Sequence, residues 1–217
     1  MTTSFDVAVI GGGLIGLSTA FHVSECRRTA VIEQEQRPGY HSSGRSAAIL
    51  LPPYGGPAAR ALTAASVEFL VKPADGFAQQ PLTAPRGALF IANEEQLALL
   101  DHWSAPTARQ ATGPKHLTAA DVVRIVPILK PETISGAVFL PEVLDIDAAA
   151  LLQGYIRGFK ARGGSLLLGS PAKAITRKNG RWAITTSSGE YLADTIVNAA
   201  GAWADQIAEL AGTEPRG

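Results

Sequence analysis

Three glycines with the spacing GxGxxG, Gly11, Gly13 and Gly16, follow an apolar run at residues 7–10 and precede a stretch with helical character. In a strand–turn–helix unit the first glycine permits a tight turn, the second lets backbone N–H groups approach phosphate oxygens, and the third lets the helix pack closely on the strand. The dipole of the helix then favours bound negative charge. The pattern predicts a binding site for a dinucleotide pyrophosphate.

A carboxylate stands where the ribose of such a ligand would be bound. Residues 29–33 predict a second strand, which ends in Glu33, about 20 residues after the glycines. A carboxylate at this place accepts hydrogen bonds from a ribose diol. The lysine and hydroxyl of the GxxxxGK[ST] loop are absent, which argues against a nucleoside triphosphatase. A structural turn without a ligand is the alternative that glycines alone leave open.

Bulk composition excludes several other function classes. The 217 residues include 19 acidic and 19 basic side chains, so net charge gives no reason to expect a nucleic-acid or anionic-membrane partner. Cys26 is the single cysteine, which excludes an internal disulfide and favours a reducing, cytoplasmic compartment. No metal site is predicted. The apolar stretch at residues 7–23 contains four glycines and is too short for a membrane span.

The predicted helices and strands that must position these residues indicate an α/β fold. Apolar spacing, capping residues and terminators predict helices at residues 58–70, 94–103, from Thr118 to Pro127, 147–163 and 204–210, with a short helix that begins at Ser43 or Gly44 and includes residues 45–50. Further strands are predicted at residues 86–92, 134–140, 165–168, 172–177, 181–186 and 195–198. Asn179-Gly180 predicts a two-residue hairpin turn, and residues 195–198 are expected to be buried.

The order of these elements predicts an interrupted nucleotide-binding domain. Residues 1–80 and 146–217 are expected to form its two segments, a Rossmann-like βαβ domain with a central parallel sheet. Residues 81–145 are expected to form part of an inserted, mixed α+β substrate domain. An interruption of this kind favours FAD over a nicotinamide cofactor.

Four separated motifs carry a resemblance to a known family. They are GYHSSGRSAA at residues 39–48, ALTAAS at 61–66, DID at 145–147 and VNAAGAW at 197–203. In this order they resemble the FAD-dependent D-amino-acid oxidase superfamily. Within it the chain is most similar to bacterial D-arginine dehydrogenases.

The resemblance implies the residues of an FAD site. Residues 11–16 would hold the pyrophosphate, Glu33 the adenosine ribose, and residues 42–48 would run beside the pyrophosphate, ribityl chain and isoalloxazine. Residues 172–174 would pass the adenine. The alternative to a cofactor contact is a surface salt bridge for Arg45 and simple packing for Trp203. The candidate cofactor-binding residues are Gly11, Gly13, Leu14, Ile15, Gly16, Glu33, Gln34, Ser42, Ser43, Gly44, Arg45, Ser46, Ala47, Ala48, Ala172, Lys173, Ala200, Gly201 and Trp203.

The resemblance also implies a reaction. A D-amino acid would lose a hydride from Cα to the flavin, and the imino acid would hydrolyse to a 2-keto acid and ammonia. Oxygen or a quinone-like acceptor would take the electrons. Tyr54 would meet the substrate from a mobile loop, or is simply an exposed loop tyrosine. Oxidation of glycine, sarcosine or a 2-hydroxy acid remains open, as does a non-catalytic FAD-binding module or a subunit of a split enzyme.

Two residues and the end of the chain depart from the D-arginine dehydrogenase pattern. Ala88 stands where that enzyme has an acid for the substrate guanidinium, and Ile49 stands where it has a histidine. A buried cation without a partner is costly, so apolar or small D-amino acids are the expected substrates. We expect the chain to be truncated at its C-terminus, with a partner polypeptide as one source of the missing half.

Overall fold

A computed structural model of the chain describes residues 3–104 and 113–215, and excludes the side chains of residues 101–104. These residues form two compact units. The first comprises Met1–Ala47, Asp75–Gln80 and Ala148–Gly217, and the second comprises Ala48–Ala74 and Pro81–Asp147. Residues 48–74, which the sequence assigns to the first segment of the nucleotide-binding domain, therefore group with the second unit.

The strands and helices have the following bounds. The strands are β1 (Thr3–Ile10), β2 (Thr29–Ile32), β3 (Ile49–Leu50), β4 (Thr83–Pro85), β5 (Ala88–Ala92), β6 (Lys115–Leu117), β7 (Gly136–Leu140), β8 (Leu144–Ile146), β9 (Ser165–Leu167), β10 (Ala172–Lys178), β11 (Arg181–Thr186) and β12 (Gly189–Asn198). The helices are α1 (Leu14–Val23), α2 (Pro57–Val71), α3 (Leu97–Ser104), α4 (Ala119–Ile125), α5 (Ala148–Ala161) and α6 (Ala204–Leu210). Short 3₁₀ segments cover Ser42–Arg45, Glu94–Gln96, Pro131–Thr133 and Gly201–Trp203.

A six-stranded sheet in the order β10-β11-β12-β1-β2-β9 forms the centre of the first unit. The four strands β12, β1, β2 and β9 are parallel, and β11 pairs antiparallel with both of its neighbours. Apolar side chains of β1, β2, β11 and α6 meet in one core. The predicted α/β class with a parallel-rich central sheet is confirmed.

Helix α5 shows how the pattern of apolar residues directs packing. Its buried side chains recur at helical spacing, as predicted, and are Leu151, Leu152, Tyr155, Ile156 and Phe159. Phe159 is fully buried. Burial also raises the pKa of the Tyr155 phenol above its ordinary value. Each such side chain stabilises the fold by about 1.5–3 kcal/mol relative to an exposed position.

The second unit contains two three-stranded sheets, ordered β3-β8-β4 and β5-β7-β6. Capping boxes begin two of its helical segments, where Asn93 accepts from the N–H of Gln96 and Thr118 accepts from the N–H of Asp121. Both lie at the start of helices that the sequence predicts, at residues 94–103 and from Thr118 to Pro127. The Thr118 hydroxyl and N–H hold the pKa of the Asp121 carboxyl below its usual value.

Two local predictions are wrong, and one strand is longer than predicted. The short helix ends at Arg45, because Ser46 is already extended with a ψ of 146° and Ala48 has a φ of 49°, and residues 49–50 form β3 instead. The strand predicted at residues 195–198 is the last part of β12, which begins at Gly189. Thr195 and Asn198 on that strand are exposed, so the expected burial is not found.

Within the described part of the chain, no helix has both the length and the apolar character to cross a membrane.

Candidate functional site

The turn after β1 has the geometry that the glycine spacing predicts. Gly11 has a φ of 112°, and its N–H donates to the carbonyl of Ile32 at 2.9 Å. A methyl group at Gly16 would overlap the carbonyl oxygen of Gly11, so only glycine allows α1 to begin this close to the turn. Beside Gly13, a Cβ would meet only the Ser43 hydroxyl, at 3.0 Å. The turn therefore leaves space at the start of α1 that a side chain would fill.

Glu33 lies at the end of β2 and is buried, with 8% of its surface exposed. One carboxylate oxygen accepts the N–H of Gly12 at 2.6 Å, and the other accepts the N–H of Glu35 at 2.8 Å. A carboxylate has about four acceptor positions, so these two bonds leave capacity for further donors. The arrangement fixes an anion beside the turn with acceptor positions for hydroxyl groups.

The segment at residues 39–45 folds over the start of α1. The N–H of Gly39 donates to the carbonyl of Gly12 at 3.0 Å, and the Ser43 hydroxyl accepts the N–H of Leu14 at 2.9 Å. The Ser43 hydroxyl oxygen thus pairs with one of the backbone N–H groups that have no partner within the first turn of a helix. The guanidinium of Arg45 lies 5.4 Å from the centre of the Tyr40 ring.

The other side of the site comes from the end of β12 and the turn that follows it. Ala199 donates its N–H to the carbonyl of Ile10 at 2.9 Å, which brings this turn against Gly11. The Asn198 side chain braces the turn, because it accepts the N–H of Ala200 at 3.3 Å and donates to the carbonyl of Ala204 at 2.7 Å. The glycine turn and the small-residue turn therefore face each other.

A cavity of about 220 Å³ lies between these segments, entirely within the first unit. Pockets for a whole ligand usually measure about 300–1,000 Å³, so this volume matches part of a dinucleotide. The residues predicted for the cofactor that line it are Gly11, Gly13, Ile15, Glu33, Gln34, Ser42, Ser43, Ala172, Ala200, Gly201 and Trp203.

The remaining predicted residues do not line this cavity. Leu14 and Gly16 lie in α1 just behind the turn, and each contributes through its backbone or through close packing. The others are Gly44, Arg45, Ser46, Ala47, Ala48 and Lys173. Ala48 and Tyr54 belong to the second unit, and Tyr54 is 64% exposed.

Several residues of the cavity wall were not predicted from the sequence. They are Ile10, Ile32, Gly39, Tyr40, His41, Ser170, Pro171, Ala199, Ala202, Gln206, Ile207 and Leu210. Gly39 and His41 are signalled by their place in the motif at residues 39–48. The contact of His41 with Trp203 has no local signal, because these two residues lie far apart in the chain.

Comparison with known proteins gives consistent findings. A family model described as "FAD dependent oxidoreductase" (DAO) matches residues 6–216. L-2-hydroxyglutarate dehydrogenase from Escherichia coli is 24% identical, over 97% of this chain and 51% of its own length. The structure of glycine oxidase from Geobacillus kaustophilus superposes with a TM-score of 0.83 at 22% identity, covering 97% of this chain and 59% of that one. The FAD-bound structure of L-α-glycerophosphate oxidase from Mycoplasma pneumoniae has a TM-score of 0.83 at 17% identity, covering 99% and 58%.

These comparisons correct one prediction. The chain spans about half the length of the curated relatives it matches. The relatives named above are not D-arginine dehydrogenases, so the narrower resemblance within the superfamily is not supported. Its weakness was already visible at Ala88 and Ile49, where side chains that would recognise a cationic substrate are replaced by apolar ones.

Proposed function

The chain belongs to the FAD-dependent oxidoreductase family, and from that premise we propose that the cavity of its first unit holds the adenosine diphosphate portion of FAD. The observation that carries this proposal is the convergence of Glu33, the glycine turn and the start of α1 on one cavity. Their chemistry fits the group: a buried acceptor suits ribose hydroxyls, and a helix start with a side-chain-free approach suits phosphate oxygens.

The proposed roles follow from the contacts of each residue. Glu33 accepts bonds from the adenosine ribose with the acceptor positions that Gly12 and Glu35 leave. Ser43 turns its hydroxyl, which now accepts from Leu14, toward a phosphate oxygen, and Leu14 then donates to the same group. Ala172 and its neighbour Lys173 follow the adenine by backbone contacts.

The rest of the predicted set belongs to this proposal as well. Gly44, Arg45, Ser46, Ala47 and Ala48 are proposed for the ribityl and isoalloxazine portion, and Ala200, Gly201 and Trp203 for close approach to the cofactor. FAD, when bound, supplies an acceptor for two electrons and a proton. This chain's residues bind and orient that group.

For the reaction, we propose oxidation at the α-carbon of a small amino acid or 2-hydroxy acid. Two relatives whose names state a substrate, L-2-hydroxyglutarate dehydrogenase and glycine oxidase, support this class. Oxidation of apolar D-amino acids, with Tyr54 contacting the substrate, is the narrower form of the proposal. The lack of an acid at Ala88 argues for poor use of D-arginine.

Cofactor binding is tested with the purified chain. We expect a flavin absorption spectrum after incubation with FAD, and binding of ADP-ribose, which lacks the flavin, by calorimetry. Failure of both ligands to bind at millimolar concentration would refute the assignment of the cavity.

The reaction is tested with the same preparation and a dye acceptor, against glycine, sarcosine, L- and D-2-hydroxyglutarate, D-leucine, D-methionine and D-arginine. Reduction of dye with one member of the panel supports the proposed class and identifies the substrate. Equal efficiency with D-arginine and D-leucine refutes the role of Ala88. Bound FAD without turnover of any member assigns this chain to cofactor binding alone, and co-purification with a second polypeptide would then identify a subunit of a split enzyme.

A further inference from the structure

His41 joins the connection that follows β2 to the turn that follows β12. Its Nε2 atom lies 2.8 Å from a carboxylate oxygen of Glu35, and its ring centre lies 4.5 Å from that of Trp203. The side chains of His41 and Glu35 are 33% and 34% exposed, so both are partly removed from solvent. One imidazole therefore contacts Glu35 within its own connection after β2 and Trp203 in the turn after β12.

Glu35 is held in place by its own backbone. Its N–H donates to the Glu33 carboxylate at 2.8 Å, and its carbonyl accepts the N–H of Gly169 at 2.9 Å. These bonds tie Glu35 to the residue proposed for the ribose and to the wall beside the adenine. The backbone from which the Glu35 carboxylate extends toward His41 is therefore held in place.

The position of His41 along the chain brings it to the start of α1. It lies two residues before Ser43, whose hydroxyl bonds to the N–H of Leu14, and it lines the same cavity as Gly12 and Gly13. The titratable groups around it are Glu33, Glu35 and Tyr40, with the Arg45 guanidinium over the Tyr40 ring. The described lining residues from positions 199–210 have no ionisable side chain.

We propose that His41, in its protonated form and held by Glu35, is a cation that binds the pyrophosphate, and that Glu35 is the residue that positions it. This inference rests on the proposed function. An imidazolium has two N–H donors, so one can bond to Glu35 while the other bonds to a phosphate oxygen. A charge-assisted bond of this kind is about twice as strong as a neutral one.

The test measures affinity by calorimetry, with ADP-ribose and adenosine as probes. ADP-ribose carries the pyrophosphate without a terminal phosphate. A terminal phosphate ionises a second time at about pH 6 and would itself change the measured affinity with pH. For His41→Gln we expect about three- to tenfold weaker binding of ADP-ribose, with adenosine unchanged. His41→Arg keeps a cation and should retain the affinity. His116→Gln, at an exposed histidine of the second unit, is the matched control.

Three further readouts separate a charge from a merely structural role. ADP-ribose affinity of the natural chain should be weaker at high pH, where an imidazole is neutral, whereas that of His41→Gln and His41→Arg should not depend on pH in this way. Glu35→Gln should also weaken ADP-ribose binding. The double variant Glu35→Gln, His41→Gln should bind no more weakly than His41→Gln alone, because Glu35 acts through the imidazole.

The outcomes are distinguishable. If the natural chain does not bind ADP-ribose, the proposed function itself fails. If it binds, and His41→Gln remains within twofold with the same pH dependence, the inference on His41 is overturned while the function stands. Equal loss of adenosine and ADP-ribose affinity in His41→Gln also overturns it, because His41 would then shape the cavity rather than contact the phosphates. Thermal unfolding of each variant identifies any that fails to fold, and His41→Arg then decides the question.

Discussion

Replacing Glu33 with glutamine tests the carboxylate that the first unit buries. Each of its oxygens accepts one backbone N–H, from Gly12 and from Glu35. Glutamine offers one oxygen, so one of these buried donors loses its acceptor, at a cost of about 1–3 kcal/mol. The bond that remains changes from charge-assisted to neutral, which costs about 1 kcal/mol more. We therefore expect Glu33→Gln to lower the free energy of unfolding by about 2–4 kcal/mol without any ligand.

The assay is urea unfolding of the ligand-free chain, followed by circular dichroism. Glu209→Gln is the matched control, because Glu209 is an exposed glutamate on α6 of the same unit, and its substitution should change the free energy by less than about 0.5 kcal/mol. The same preparations then report ADP-ribose affinity, which should fall by about tenfold or more in Glu33→Gln. A Glu33→Gln chain as stable as the control would refute the role assigned to the two backbone bonds.

Further predictions concern other elements. Gly16→Ala places a methyl group on the Gly11 carbonyl, so we expect about 1–3 kcal/mol lower stability and loss of ADP-ribose binding, whereas Gly56→Ala, with nothing within 4 Å of the added group, should change calorimetric binding little. Phe159→Ala should lower the unfolding free energy in urea by about 3–5 kcal/mol, because Phe159 is fully buried. Burial raises the pKa of Tyr155 above 10.0. The contribution of the neutral phenol to the free energy of unfolding is therefore complete below that pH and declines as the pH rises toward the raised pKa. In unfolding titrations at alkaline pH, the free energy of unfolding should decline less for Tyr155→Phe.

Features that depend on neighbouring residues were predictable from the sequence. The turn around Gly11, the capping boxes at Asn93 and Thr118, and the hairpin turn at Asn179 each have a signal within a few residues. In the hairpin, Asn179 has a φ of 51° and Gly180 a φ of 78°, as a tight two-residue turn requires.

Features that depend on distant pairing were not predictable. Strand β3 has two residues, and its partner in β8 lies almost 100 residues later, so no local pattern could reveal it. The same reason hides the contact between His41 and Trp203, which is visible only in three dimensions. The prediction of the substrate depended on single residues such as Ala88, and one side chain does not determine which substrate a site binds.

The pairing of β1 has a consequence for how the chain is synthesised. Thr3 of β1 lies opposite Tyr191 of β12, so one edge of β1 stays unpaired until β12 has been synthesised. At about 5–20 residues per second the ribosome needs roughly 10–40 s to cover that interval. During this time an apolar strand edge is exposed to other chains, and the second wall of the cavity does not yet exist. The cavity described above is therefore complete only after β12 has been synthesised and has paired with β1.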